Sequence, residues 1–346
     1  MKKSVTKRSG IERRQFIQVL ATATGGTVLP LNFGCGLDGA VVVNSRHKPT
    51  LDAPLTPLQD FYINANYGIP DNPRSPSTYR LHLNGLVDNE RRLSLDEIRA
   101  LPPVEKAYTL ECIGNRPGGG LISSQVFTGV RLADVMALAG VRDDARGLYL
   151  VGLDGYPIIV PRRVLDNDDA LLVHSLGGQP LDANHGAPLR ALFPNRYGMF
   201  SVKWLDSITV VREWAKWGAF RGLSSAFDGV KATQSRLDTP GRDQAVTRGE
   251  PVLLTGLAVS AGPGIDKVEV RTDRGWEEAD LVFNTLEDDW SGLLWTLFSF
   301  EWTPEREGEI FLAVRATDTE GEGQSFDRRF PYDSSSIHTV RVLVRE

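Results

Sequence analysis

Thr109-Leu-Glu-Cys112-Ile-Gly-Asn-Arg116-Pro-Gly-Gly-Gly120 is the stretch on which the reading of this chain turns. The apolar run from Ala107 to Leu110 is strand-like and meets a Gly-Asn-Arg turn just after Cys112, so the sequence predicts a thiol exposed where a sheet ends. Cys112 is the only cysteine in the body of the chain. Arg116, four residues on, is placed to favour the thiolate, the form that binds metals and attacks substrates. The competing reading of a lone cysteine is a small buried hydrophobe. Asn115 to Gly120 lacks the lysine and hydroxyl of a phosphate-cradling loop, so its glycines read as backbone relief beside a site.

Outward from this stretch, punctuation by turns divides the chain. Tyr79-Arg-Leu81-His-Leu83-Asn84-Gly85 alternates apolar and polar residues before an Asn-Gly turn, which predicts a half-buried strand. Ser94-Leu-Asp-Glu97 is a capping box, and Pro102 and Pro103 end the short helix it opens. Leu132, Val135, Met136 and Ala139 fall at helical spacing before Gly140. The Asp154-Gly155 pair joins two strand-like runs between Leu148 and Val160, a hairpin signal. Residues 218–247 are rich in Gly, Ser, Thr and charge and hold the expected boundary, with one domain over 50–235 and another over 245–346. Beyond it short strands are expected at 252–259, 267–272, 296–302, 310–317 and 339–344, a spacing that suggests an immunoglobulin-like sandwich.

Leu110-Glu-Cys112-Ile-Gly114-Asn115-Arg116 resembles the molybdenum-ligating cysteine motif of the sulfite oxidase family. Asn184-His185-Gly-Ala-Pro188-Leu-Arg190 with Tyr197-Gly198-Met-Phe-Ser201-Val202-Lys203-Trp204, and the later Val268-Glu-Val-Arg-Thr-Asp-Arg-Gly275-Trp276, extend the resemblance in the same order. The resemblance implies an α+β molybdopterin-binding domain followed by the all-β immunoglobulin-like module, which in the family mediates dimerisation. It implies a molybdenum-molybdopterin cofactor with Cys112 as metal ligand. A pterin phosphate needs fixed donors, and Arg190, Lys203 and His185 supply them, with backbone at Ser201, Val202 and Lys203 close by and Asn66 and Asp154 as further contacts. Arg116 and Asn64 complete the expected catalytic group. The family's sulfite oxidisers resemble a Phe-Phe-x-Arg-Asn-His run, whereas this chain has Phe61-Tyr62-Ile-Asn64-Ala-Asn66, so Asn64 stands in place of the anion-binding arginine. Pro117 likewise replaces a second arginine, and Arg328 and Arg329 are candidates to compensate.

The formal net charge of -5, from 39 basic and 44 acidic residues, argues against a general nucleic-acid binder. Two cysteines exclude a disulfide framework. Lys2, Lys3, Lys7, Arg8, Arg13 and Arg14 precede a moderately apolar run, and Arg13-Arg14-Gln-Phe16-Ile17 resembles the twin-arginine export motif, so residues 1–40 read as export signal and leader to the periplasm. Cys35 is a candidate lipid-attachment site. No Cys-x-x-Cys-His haem motif is present, so the electrons of a sulfur oxidation are expected to pass to a separate carrier such as a c-type cytochrome. The expected reaction is oxygen-atom transfer at a sulfur oxyanion or S-oxide, sulfite to sulfate first, in a homodimer. Reduction of S- or N-oxides is the alternative within the class. A non-catalytic exported binding protein is the alternative from another class, and the retention of Cys112 with Arg190 and Lys203 argues against it.

Overall fold

The computed structural model describes residues 40–71, 74–166, 170–213, 229–262, 264–283, 293–326 and 335–346. The twin-arginine motif, Cys35, Arg328 and Arg329 lie outside the described residues.

Strands Pro103–Glu111 and Ile122–Arg131 form a hairpin paired from Pro103↔Val130 to Glu111↔Ile122, and Cys112 is the first residue beyond its ladder. Its amide donates to Leu121 O at 3.0 Å, so the cysteine is still held by the hairpin as the backbone turns away. Leu171–Leu176 joins the far side of Ile122–Arg131, and Arg190–Leu192 pairs in turn with Leu171–Leu176. That register brings Arg190 and the cysteine hairpin into one sheet. A second sheet orders Arg91–Ser94, Arg80–Gly85, Leu205–Val211, Gly147–Gly152 and Pro157–Pro161. The alternation read at Arg80–Gly85 holds, with Leu81 and Leu83 buried. The capping box also forms: Ser94 Oγ accepts from Glu97 N at 3.2 Å while the Glu97 carboxylate accepts from Ser94 N at 2.8 Å.

The α+β class needs correction. The α-helices of the described residues are only Leu95–Arg99 and Leu132–Ala137, and the domain is built mainly of strands. Pro102 and Pro103, and Gly140 at φ +69°, end these helices after little more than a turn.

The C-terminal domain is a sandwich of two sheets, one of Gln234–Thr239, Val252–Val259, Thr296–Trp302 and Asp280–Phe283, the other of Ala245–Thr247, His338–Arg345, Gly308–Asp318, Ile265–Thr272 and Gly275–Glu278. Its core pairs Trp302, Phe298 and Leu254 with Val268, Leu312 and Val342. The first strand of the sandwich is Gln234–Thr239, inside the 218–247 stretch expected to hold the boundary and ahead of the run expected from 245. Composition hid that strand because its buried side chains are polar: Ser235 Oγ donates to Gln324 Oε1 at 2.6 Å, and Arg236 bonds Asp238 at 2.7 and 3.2 Å.

The same strand fastens the two domains. Arg236 Nη1 donates to Gly119 O at 3.1 Å and Nη2 to His47 O at 3.3 Å. Gly118 sits at φ +75°, and a Cβ there would lie 2.2 Å from His338 Nε2. Gly118 thus gives relief against the second domain, while a Cβ at Gly119 would meet Asn115 and Arg116 and one at Gly120 would meet Ser45 O. From the other side Trp295 N donates to Thr109 Oγ1 at 2.8 Å, two residues along the strand from Glu111.

Candidate functional site

One cavity gathers Cys112, Asn64, Asn66, Asp154, His185, Arg190, Ser201 and Lys203, eight of the ten residues expected to form the site. They come from five separate stretches, so only the fold assembles them. Burial pushes the Cys112 thiol up, and two donors oppose it: Gly114 N at 3.4 Å and Asn64 Nδ2 at 3.2 Å from the sulfur. Strand Ile63–Ala65 carries Asn64 into place by pairing with Val41–Val43. Asn66, one residue past that strand, is exposed at the cavity rim.

His185 donates through Nδ1 to the Asp182 carboxylate at 2.9 Å, and the same carboxylate takes its backbone N–H. Burial lowers the ring's pKa although Asp182 opposes the change, so the imidazole is neutral and Nε2 carries a lone pair. His185 therefore offers the cavity an acceptor, where the sequence reading expected a donor. Phe61 packs edge-on to the ring at 5.4 Å and fixes its plane. Arg190 is buried, donates from Nη1 to His185 O at 3.2 Å, and is lowered to about 10 by desolvation. Lys203 donates to Asn184 O at 2.9 Å with its Nζ 4.5 Å over the Trp204 ring, and burial together with the nearby Arg190 charge brings it down to about 7. Asp154 makes the predicted turn, accepting from Tyr156 N at 3.0 Å, and still faces the cavity, where burial raises its pKa.

Two expected residues are elsewhere. Arg116 is exposed and does not line the cavity, because Pro117 and the glycines carry the chain toward the second domain. Its charge is not among the influences on the Cys112 thiol, so the expected activation by Arg116 is corrected to hydrogen bonding by Asn64 and Gly114. Val202 packs its side chain in the core, and its amide is spent on Phe200 O at 3.2 Å. The Ser201 amide likewise donates to Gly198 O at 3.0 Å, leaving its buried side chain as the part nearest the cavity.

Sequence reasoning missed Tyr62, Tyr156 and Trp204, which line the same cavity. Tyr156 donates its hydroxyl to Met199 O at 2.8 Å, and Trp204 Nε1 donates to Ala183 O at 2.7 Å. Trp204 also adopts φ +49°, a left-handed conformation rare for a bulky residue. Burial raises both tyrosines well above the usual phenol value, so both keep their protons. Tyr156 follows the Asp154-Gly155 turn and Trp204 follows Lys203, so adjacency to recognised motifs was their one sequence signal. A buried pair lies directly behind the cysteine: Lys231 donates to Thr109 O at 2.9 Å and stands beside Glu111, burial pushing the carboxyl up and the amine down.

A family model described as an oxidoreductase molybdopterin binding domain matches residues 67–217. Sulfite oxidase of Arabidopsis thaliana is 31% identical over 275 residues, covering 65% of this chain and 70% of that protein. Mitochondrial sulfite oxidase of Rattus norvegicus is 28% identical over 323 residues, covering 80% of this chain, and the chain spans only 58% of the rat protein. Among solved structures, the sulfane dehydrogenase SoxCD of Paracoccus pantotrophus superposes with a TM-score of 0.70 at 20% identity, covering 92% of this chain and 93% of that one.

Proposed function

This chain belongs to the sulfite oxidase family, and from that premise we propose that it is a periplasmic oxidoreductase that adds an oxygen atom to a sulfur centre, sulfite being the first candidate. Its cofactor is molybdenum-molybdopterin. The observation that carries the reading is a set of unpaired buried polar atoms on residues that line one cavity with a thiol. His185 Nε2, Arg190 Nε and Asn64 Oδ1 have no hydrogen-bond partner among the described residues, and all three residues line the cavity that holds Cys112. Unpaired buried polar atoms are costly, and their convergence in one cavity is what a pocket for a large polar cofactor should show.

When bound, the cofactor supplies a metal able to exchange two electrons and an oxygen atom with sulfur. Cys112 contributes the soft thiolate suited to that metal. Arg190 and Lys203 would hold its phosphate with two positive charges, and His185 Nε2 would accept from one of its N–H or hydroxyl groups. Phe61 and Trp204 give the cavity buried aromatic wall beside these polar groups. Oxidation of sulfite to sulfate takes its oxygen from water and releases two electrons and two protons. The electrons leave for a separate carrier, for which a c-type cytochrome fits a chain without a Cys-x-x-Cys-His motif. The N-terminal Arg13-Arg14 motif supports export, and the C-terminal sandwich, read as immunoglobulin-like, supports a homodimer.

A second reading, oxidation of another sulfur compound such as a sulfane, is favoured by one position. Asn64 offers an amide at the mouth of the sulfur site where the sulfite-oxidising pattern carries an arginine. Purified holo-protein, assayed for reduction of cytochrome c with sulfite and with thiosulfate, whose outer sulfur is a sulfane, separates the two. Turnover of sulfite supports the first reading and turnover of a sulfane alone supports the second. A fully molybdenum-loaded protein inert toward the two substrates refutes both readings.

A further inference from the structure

Both donors at the Cys112 sulfur are amides. Gly114 N belongs to the turn that follows the cysteine, so it comes with the motif. Asn64 is different: it is 48 residues away in sequence and reaches the sulfur only because strand Ile63–Ala65 lies beside the hairpin end, with Val42↔Asn64 fixing its backbone. A thiolate can only accept, so the amide must present Nδ2 to it, and Oδ1 is left buried without a partner among the described residues. The side chain is therefore committed to the sulfur at one end and turned toward the cavity at the other.

A hydrogen bond to a metal-bound thiolate draws electron density from the sulfur. The sulfur then donates less to the metal, and the more reduced metal is favoured. We propose that Asn64 is a tuning residue that raises the reduction potential of the molybdenum centre through its hydrogen bond to Cys112. The proposal rests on the reading that Cys112 is the metal ligand. It gives position 64 a role in electron energetics, separate from the grip on an anion that an arginine would provide there. An arginine in this place would spread its donors over a fork and carry charge, whereas the amide delivers one neutral donor to one acceptor.

The test is a redox titration of the full-length holo-protein, following the Mo(V) signal by electron paramagnetic resonance, for wild type, Asn64→Leu and Asn64→Ser. Leucine keeps the volume and removes the donor, and serine keeps a shorter donor. The expected result is a fall in midpoint potential for Asn64→Leu equivalent to about a tenfold change in the oxidised-to-reduced ratio, ~59 mV for one electron, with a smaller fall for Asn64→Ser. Wild-type midpoints in both variants would overturn the proposal. So would a raised KM for sulfite at unchanged potential, which would place the residue on the substrate. Loss of molybdenum from both variants would also overturn it, since Asn64 would then retain the cofactor and not tune it. A failure of the ligand reading itself is distinguishable, because it would show as an unchanged Mo(V) spectrum in Cys112→Ser.

Discussion

Lys203 is the cation whose charge the protein's own groups in the cavity support least, and that makes cofactor binding pH-dependent. Burial and the neighbouring Arg190 bring it down to about 7, while Asp154 and Asp182 oppose the shift. Without an anion in the cavity, Lys203 is thus half neutral near pH 7 and mostly neutral one unit higher. A phosphate against Nζ restores the charge, so the bound pKa lies above the free one and binding takes up a proton. Affinity should then fall by up to about tenfold per pH unit above 7 and level off below it. Lys203→Met should lose a charge-assisted hydrogen bond of roughly 1.5 to 3 kcal/mol, or about ten- to hundredfold in affinity, together with the pH slope. The assay is titration of apo-protein from a molybdopterin-deficient host with the cofactor across that range. The reasoning is refuted if wild-type affinity is flat between about pH 7 and 9, or if Lys203→Met keeps the slope. The same lowered pKa requires the apo-protein to gain stability as pH rises from about 7 toward 10.5, because the unfolded chain then holds the extra proton.

Cys112→Ser should fold normally and lose turnover, since an alcohol is a poor substitute for a soft thiolate; wild-type rates would exclude Cys112 as a ligand. Arg236→Ala should destabilise the chain by about 3 to 5 kcal/mol, read as a drop in urea midpoint, because Asp238 is left buried without its bidentate partner. A loss below about 1 kcal/mol would show that the domain joint does not depend on this pair. His338 accepts from Leu237 N at 3.1 Å and is lowered to about 4 by burial and by Arg236 and Arg242. The unfolded chain therefore binds the proton first, and stability should fall as pH drops from about 6.5 toward 4. Denaturation curves of His338→Gln that fall as steeply over that window would contradict this assignment.

The sequence made the strands and the cofactor block legible because their signals are local. The alternation at Arg80–Gly85, the Asp154-Gly155 turn and the runs at 252–259 and 296–302 each specify structure within a few residues. Relations across the fold left weaker traces. Gln234–Thr239 was hidden because a strand buried through ion pairs and hydrogen bonds has the composition of a linker. Arg116 was misplaced because closeness along the chain says nothing about which way a glycine-rich loop runs. Position 64 drew notice for the charge it lacks, but its hydrogen bond to Cys112 depends on a strand pairing between residues 41–43 and 63–65 that neither segment announces. The direction of the His185 ring is settled by Asp182, a residue without any motif of its own.

The central claim is that Cys112 binds molybdenum in this cavity. Molybdenum K-edge absorption fine structure on protein purified from a molybdenum-competent host measures it most directly. The account predicts three sulfur neighbours at the metal in wild type, two from the pterin dithiolene and one from Cys112, and two in Cys112→Ser. Three sulfurs in the serine variant, or a wild-type protein that acquires no molybdenum in that host, would contradict it.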